Sequence, residues 1–566
     1  MQSLITLDFV AGVALLLTIY WIADVLIRRE HLVDFAKRLK IPHRVVTAIL
    51  VLAGLGAMPF LPWPAHPLLI IGSTLATVMA WKSGSDDIDV GHGRAWWYER
   101  AVLLLSGIAV WWSPALVPAQ LHVTTRPFIG WKHHGHLPLR VVQLSFSYAV
   151  LARFAPAISV QVGLEVFIFV AMMMLGSHYV ITAFAKGMLG PRWYSWMTDN
   201  RLHNVAASAY VWGWARFIPR RRWSQLLAII APLNVPMQIG AFALEAASPL
   251  VLTSPTVAVV LAVTAGVFHL VVYITTGILF WEWALTNVLL AWFILQLAPE
   301  VTAQAFGLVP FIAGTVLLFV FPLRGRLWHP DPLGWWDTGL TQRVQWRVIG
   351  ESGTVYDLHN DFMCPHERNY GRVHGCFLIE KRVFTYHLGE VWRIDLRDEI
   401  RTLRDHPERL EEIRERFGIS VHEPQQSERH LRYLQRFLQA LNRGERKFVF
   451  PRGLRWLKAP GGQFYYWGDR PSFRGQEKAV AFQIWFFEEY WDGEVHHKFE
   501  ESLLREVSVI GEEQEACEEL DERVVDAMVL QRAVGTLVNV PDRMVARART
   551  LYPENKDSRS LLDLAS

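Results

Sequence analysis

Three side chains able to hold or pass a proton share one face of one apolar segment: His178, Thr182 and Lys186 follow one another at intervals of four, and Tyr179 precedes Lys186 by seven. That spacing stacks them along a single side of a helix. The segment begins near Val162 and is otherwise mostly Val, Leu, Ile, Phe, Ala and three consecutive methionines, Met172 to Met174. An ionisable group near a bilayer centre costs at least about 3 kcal/mol, so a lysine there snorkels to the interface, finds a partner or performs chemistry. Desolvation disfavours the charged form of a lysine, so one at the bilayer edge can accept a proton. His178, His134 or His269 could then hydrogen-bond that base or a developing oxyanion. The plainer alternative is a lysine that caps its own helix beside Gly187 and Gly190.

Other polar residues admit two readings as well. His133, His134 and His136 occupy a polar loop, where histidines are solvated or bind a metal weakly. His269 lies in an apolar run, as a packing residue or a functional one. Glu165 and Glu282 are buried-acid candidates that could instead pair with Arg153 or another cation. Arg220, Arg221 and Arg222 beside Trp223 read as an anchor to lipid headgroups.

A bundle is needed to position these groups. Apolar residues make up 52% of the chain, and nearly all the long apolar runs precede residue 323, whereas most acidic residues follow it. The composition therefore predicts a polytopic α-helical membrane bundle followed by a soluble mixed α+β C-terminal domain. Span-length windows fall at roughly 5–27, 45–62, 67–81, 101–120, 138–155, 160–185, 224–247, 256–276, 278–298 and 304–322. Several are short or split by proline, so the expectation is about 8 to 10 spans. The chain divides into N-terminal membrane helices over 1–85, a membrane domain over 86–325 and a soluble tail over 326–566. The first run is long and lacks an early basic region, which favours a true helix over a signal peptide. Arg28, Arg29, Lys37, Arg38, Lys40 and Arg44 place the first loop in the cytoplasm, and the Lys186 end of its helix outside. If Val205 to Pro219 crosses the bilayer the tail is cytoplasmic; if it lies flat the tail is extracytoplasmic.

In the tail, Val344 to Ile349 and Val355 to Leu358 alternate and turn as a hairpin would, and a second strand pair is expected around Val383 to Trp392. Helices are expected at roughly Leu396 to Phe417 and Ser427 to Leu441, and strands again across Lys447 to Trp467. From about Glu512 the end reads as helical and partly mobile. Three cysteines exclude a disulfide framework. Cys364 and Cys376 could close one loop in an oxidising compartment. Cys364, His366, His359 and His374 fit no familiar zinc module, so no metal is expected. A net charge of +3 gives no support for a nucleic-acid partner. There is no Walker loop, no His-Glu-x-x-His and no nucleophile elbow.

Tyr179, the aliphatic and small-residue run after it, Lys186 and the aromatic Trp193 together resemble a signature helix of the HTTM (horizontally transferred transmembrane) domain family. Trp131-Lys132-His133-His134 resembles the segment that opens an earlier helix in the vitamin K-dependent gamma-carboxylases of that family, and Phe268-His269 is similar to a pair within a later one. The resemblance covers roughly residues 90–325. It implies Lys186 as the base toward a quinol such as a vitamin K hydroquinone, with His134, His178 and His269 in support. Tyr179, Thr182 and Trp193 would line the cofactor, with a peptide or lipid as substrate. Two function classes stay open: a membrane enzyme of this kind, and a non-catalytic membrane factor in peptide maturation or export. A transporter is the weaker third, since no inverted repeat is visible. Either leading class would be integral to a lipid bilayer, in a bacterium the plasma membrane.

Overall fold

The computed structural model describes residues 5–27, 43–62, 97–124, 136–320, 327–358, 378–445 and 470–517, apart from single positions at 215, 279, 329, 331, 332, 419, 421 and 423. The helical part comprises α1 (Leu7–Ile27), α2 (His43–Ala57), α3 (Trp97–Ala109), α4 (Val117–Thr124), α5 (His136–Phe154), α6 (Leu164–Gly187), α7 (Ser195–Asp199), α8 (Leu202–Val211), α9 (Arg220–Ile230), α10 (Asn234–Ala246), α11 (Pro255–Thr276), α12 (Trp281–Leu295) and α13 (Leu308–Val320). The tail comprises β1 (Trp336–Asp337), β2 (Leu340–Gly350), β3 (Val355–Asp357), β4 (Glu390–Val391), α14 (Ile394–Thr402), α15 (Leu410–Phe417), α16 (Pro424–Asn442), β5 (Ala479–Trp491) and β6 (His496–Ser508).

The axis of the bundle is α6, buried without a break from Val166 to Ala183. Its aromatic residues key into its neighbours: Phe169 meets Phe9 of α1 with ring centroids 5.6 Å apart, and Phe167 meets Phe293 of α12 at 5.8 Å. Such a segment is hydrophobic all round because every side of it is packed. The outer helices turn apolar side chains outward instead: Val260, Val267 and Ile274 of α11, and Val235 and Ile239 of α10, are exposed. Apolar surface on that scale is compatible with a lipid environment. Local chemistry sets the ends of α11. Ser254 accepts from the Val257 N–H at 3.2 Å, Pro255 fills the first helical position, and Gly277 closes the helix at φ 71°.

Among the described residues five helices are long and apolar enough to cross a membrane: Leu7–Val25, Leu137–Ile158, Leu164–Gly187, Arg220–Ala246 and Pro255–Thr276. The windows at 45–62, 278–298 and 304–322 correspond to shorter apolar helices, Arg44–Phe60, Glu282–Leu295 and Leu308–Val320. The window at 101–120 breaks where Ser113 and Pro114 open a new turn, the Ser113 hydroxyl accepting from the Ala115 N–H. The window at 67–81 lies outside the described residues.

The tail is built on an antiparallel sheet of order β3-β2-β5-β6. Val344, Trp346 and Val348 of β2, with Phe482, Ile484 and Phe486 of β5, bury one face against Leu434, Phe437 and Leu438 of α16. On the other face the guanidinium groups of Arg343 and Arg347 lie over the rings of Phe487 and Trp485, at 4.3 and 4.5 Å. The expected hairpin is β2 and β3, with Val348 opposite Tyr356. The expected strand pair near Val383 to Trp392 is not a local hairpin, since β4 pairs with the distant β1. The single helix expected over 396–417 is two, parted by a turn that begins a new segment at Pro407. The strands expected at 447–467, and Cys364, Cys376, His359, His366 and His374, lie outside the described residues.

Candidate functional site

Lys186 stands in the last turn of α6 and is largely buried. Its Nζ donates to both carboxylate oxygens of Glu245 in α10, at 2.6 and 2.8 Å. The same ammonium lies 4.4 Å from the centroid of the Trp196 ring in α7. Lys186 therefore neither snorkels to headgroups nor hydrogen-bonds a histidine among the described residues. Ser248 fixes the far side of the pair, its hydroxyl contacting the Glu245 carbonyl at 2.7 Å and the Gly176 carbonyl of α6 at 2.9 Å.

The tail closes over this pair. Gly334 runs so close to the end of α6 that a Cβ there would stand 2.9 Å from the Ala185 carbonyl carbon and 3.0 Å from the Lys186 nitrogen. The Trp196 indole N–H donates to the Trp335 carbonyl at 3.0 Å. Asp337 exchanges hydrogen bonds with Asn200: its carboxylate accepts from Asn200 Nδ2 at 2.7 Å, and its backbone N–H donates to Asn200 Oδ1 at 2.8 Å. Trp335 donates to the second carboxylate oxygen at 3.0 Å, and Asn204 of α8 donates to the Asp337 carbonyl at 3.0 Å. Burial pushes the Asp337 carboxyl up to about 6, against the pull of these donors and of the Lys186 charge. Nearby His203 is pushed down to about 4, chiefly by burial and then by Arg201. The tail thus meets the end of the bundle that carries Lys186, and α8, ten residues long, is not among the membrane-length helices.

Two turns back along α6, Tyr179 anchors a second polar group. Its hydroxyl lies 2.8 Å from His269 Nε2 of α11 and accepts from Asn287 Nδ2 of α12 at 2.9 Å. Asn287 Nδ2 also reaches the Trp283 carbonyl at 2.9 Å. A carbonyl only accepts, which fixes the amide orientation. The Tyr179 O–H is then left with His269 Nε2 as its acceptor among the described residues, which puts the His269 proton on Nδ1. Among the described residues, the buried His269 Nδ1 and Asn287 Oδ1 have no hydrogen-bond partner. The rings of His178, Tyr179 and His269 all pack against Trp283, at 5.6, 5.9 and 5.5 Å, and Phe280 closes on His269 at 5.2 Å.

The residues singled out from sequence fall in different places. Tyr179 and His269 touch. His178 donates from Nδ1 to the Met174 carbonyl at 2.7 Å, and Thr182 donates to the His178 carbonyl at 3.3 Å, so both serve the backbone of α6. Trp193 is mostly exposed and packs on Tyr194 and Phe242, while Trp196 takes the place beside Lys186. His134 lies outside the described residues. Glu165 and Arg153 do not pair: Arg153 donates to the Phe60 carbonyl at 3.1 Å. Sequence reasoning missed Glu245 and Asn287. It also missed Asp24 and Arg140, a buried ion pair joining α1 to α5. Glu245 carried a signal, being the single acidic residue in the apolar window 224–247.

Comparison with known proteins gives no match: no family model, no curated protein and no solved structure corresponds to this chain.

Proposed function

We propose that this chain is an integral membrane enzyme of HTTM type, in which the Lys186–Glu245 pair moves a proton for chemistry on a quinol-like or lipid cofactor. The observation that carries the reading is the enclosure of that pair, with Glu245 buried, Lys186 largely so and the bidentate geometry complete. Away from water, passing the proton from the ammonium to the carboxylate costs less than it would outside, because the neutral pair avoids the desolvation of two ions. Glu245 thereby gives Lys186 a way to present a free amine, the form a base requires.

The donor set fits a hydroxylated ring. Buried His269 Nδ1 and Asn287 Oδ1 supply one donor and one acceptor without partners among the described residues, beside the apolar walls of Phe280 and Trp283. A quinol bound there would supply the acidic hydroxyl. His269 and Asn287 would orient it, and Tyr179 would hold the His269 tautomer. Lys186 lies about 10 Å further along the helix.

A second reading, a non-catalytic membrane factor in peptide maturation or export, is favoured by one observation: Lys186 already has a full bidentate partner, and the tail is keyed onto that end of α6. Purification with native lipids separates the two. Mass spectrometry of bound quinones and an assay of quinol oxidation are run on wild type and Lys186→Ala. The enzyme reading expects retained ligand in both and turnover lost in the variant. No bound cofactor and no oxidation in either protein moves the assignment to the second reading.

A further inference from the structure

The helix α10 is built inside out. Its apolar residues Val235 and Ile239 face outward, while its only buried side chains are polar: Asn234, Gln238 and Glu245. Offsets of four and eleven residues put the three on one stripe about 16 Å long. The two ends of the stripe are occupied. Asn234 donates to the Asn200 carbonyl at 3.3 Å, and Glu245 takes Lys186. Gln238, between them, is fully buried, and neither its Oε1 nor its Nε2 has a partner among the described residues. His203, on the α8 side near Asn234, likewise leaves Nδ1 open.

Buried polar groups are nearly always hydrogen-bonded, and three open atoms along one seam call for something that satisfies them. A polar stripe on an otherwise apolar helix faces the protein interior, where it joins helices or lines a path. Charge and geometry narrow the occupant. Lys186 and Glu245 neutralise each other and Arg201, which acts on His203, is exposed, so a phosphate head beside Gln238 would meet no buried cation free to balance it among the described residues. A primary amide offers a donor and an acceptor side by side; another amide or a carboxylic acid pairs with both at once, and of the two only the amide is neutral near pH 7. The apolar outer face of α10 leaves the bilayer one helix away.

We propose that the seam between α10 and the α7–α8 segment binds the neutral carboxamide of an apolar, membrane-soluble molecule, with Gln238 making the paired hydrogen bonds. This rests on the reading that the Lys186–Glu245 pair is a site of chemistry, and it names the kind of group brought to that site.

Thermal unfolding of the full chain in detergent tests it, with three probes of equal tail length: dodecanamide, 1-dodecanol and dodecyl phosphate. Dodecanamide should raise the wild-type midpoint by roughly 2 °C or more at saturation, 1-dodecanol less, and dodecyl phosphate not at all. Gln238→Leu should fold with a midpoint at or above that of wild type and lose the dodecanamide response; Gln238→Met serves if the leucine variant does not fold. A flat response to all probes, an equal response to dodecyl phosphate or 1-dodecanol, or a dodecanamide shift that survives in the variant overturns the proposal. Its failure is separable from that of the enzyme reading. A wild type that binds dodecanamide through Gln238 yet oxidises no quinol sinks only the latter, and one that oxidises quinol but ignores dodecanamide sinks only the former.

Discussion

Lys186 and Glu245 meet across 59 positions of sequence with both carboxylate oxygens within 2.8 Å of one ammonium, at the point where the tail closes on the bundle. Both charges have little access to water. Their worth to the fold is a property of the pair, because each compensates the burial of the other.

Removing one partner should therefore cost far more than removing both. Lys186→Met or Glu245→Leu alone is expected to destabilise by about 3–5 kcal/mol, since each strands a buried charge. The double variant should recover most of that loss. A double-mutant cycle on denaturant midpoints measures the coupling, and additive single effects would contradict the compensation described.

Gly334 should tolerate no side chain. The atoms a Cβ would meet, Ala185 C and Lys186 N, are helix backbone and cannot step aside as the end of a flexible side chain could. Gly334→Val is expected to cost about 1–3 kcal/mol and to loosen the tail. Limited proteolysis between the two parts, compared with wild type, reports the loosening. Gly334→Ala should fall between the two.

The sequence made the bundle and the β2–β3 hairpin legible because both rest on periodicity and composition, which are local. The central helix is continuously apolar and its one lysine stands out; the β2–β3 hairpin shows alternation and a Glu-Ser-Gly turn. Partners across the fold are another matter. His178, Thr182 and Lys186 do share a face, yet the first two each hydrogen-bond a backbone carbonyl of α6, and the third finds a glutamate four helices later in the chain. Trp193 and Trp196 are indistinguishable by type, and only the turn into α7 decides which ring reaches the lysine. The β5–β6 hairpin went unread although Asp492-Gly493 marks its turn, because the charged residues of β6, an edge strand, mask the alternation.

Tyr179 holds Asn287 and His269 together, so its hydroxyl should matter more than its ring. Tyr179→Phe keeps the packing against Trp283 but strands one amide donor and one imidazole acceptor. The expected loss is about 1–3 kcal/mol for each group left unsatisfied. Tyr179→Phe combined with Asn287→Leu removes one stranded group and should be less than additive. Unfolding midpoints of the single and double variants decide it.

Two buried groups at the junction should give the tail's docking opposing pH dependences. Burial raises Asp337 from 3.8 to about 6, so its native form holds a proton that the unfolded chain has released. Its contribution is complete below about 3.8 and is lost as pH rises through 6. His203 runs the other way: lowered from 6.5 to about 4, it favours the native state above 6.5 and loses that advantage as pH falls through 4. Each spans about two pH units, at most about 3 kcal/mol, and in wild type they largely cancel. Single variants should expose them. Asp337→Asn should leave a protein that weakens on acidification from pH 6.5 to 4, and His203→Gln one that strengthens over the same range. Unfolding midpoints against pH for the three proteins check this, and parallel profiles would mean that neither group titrates with the fold.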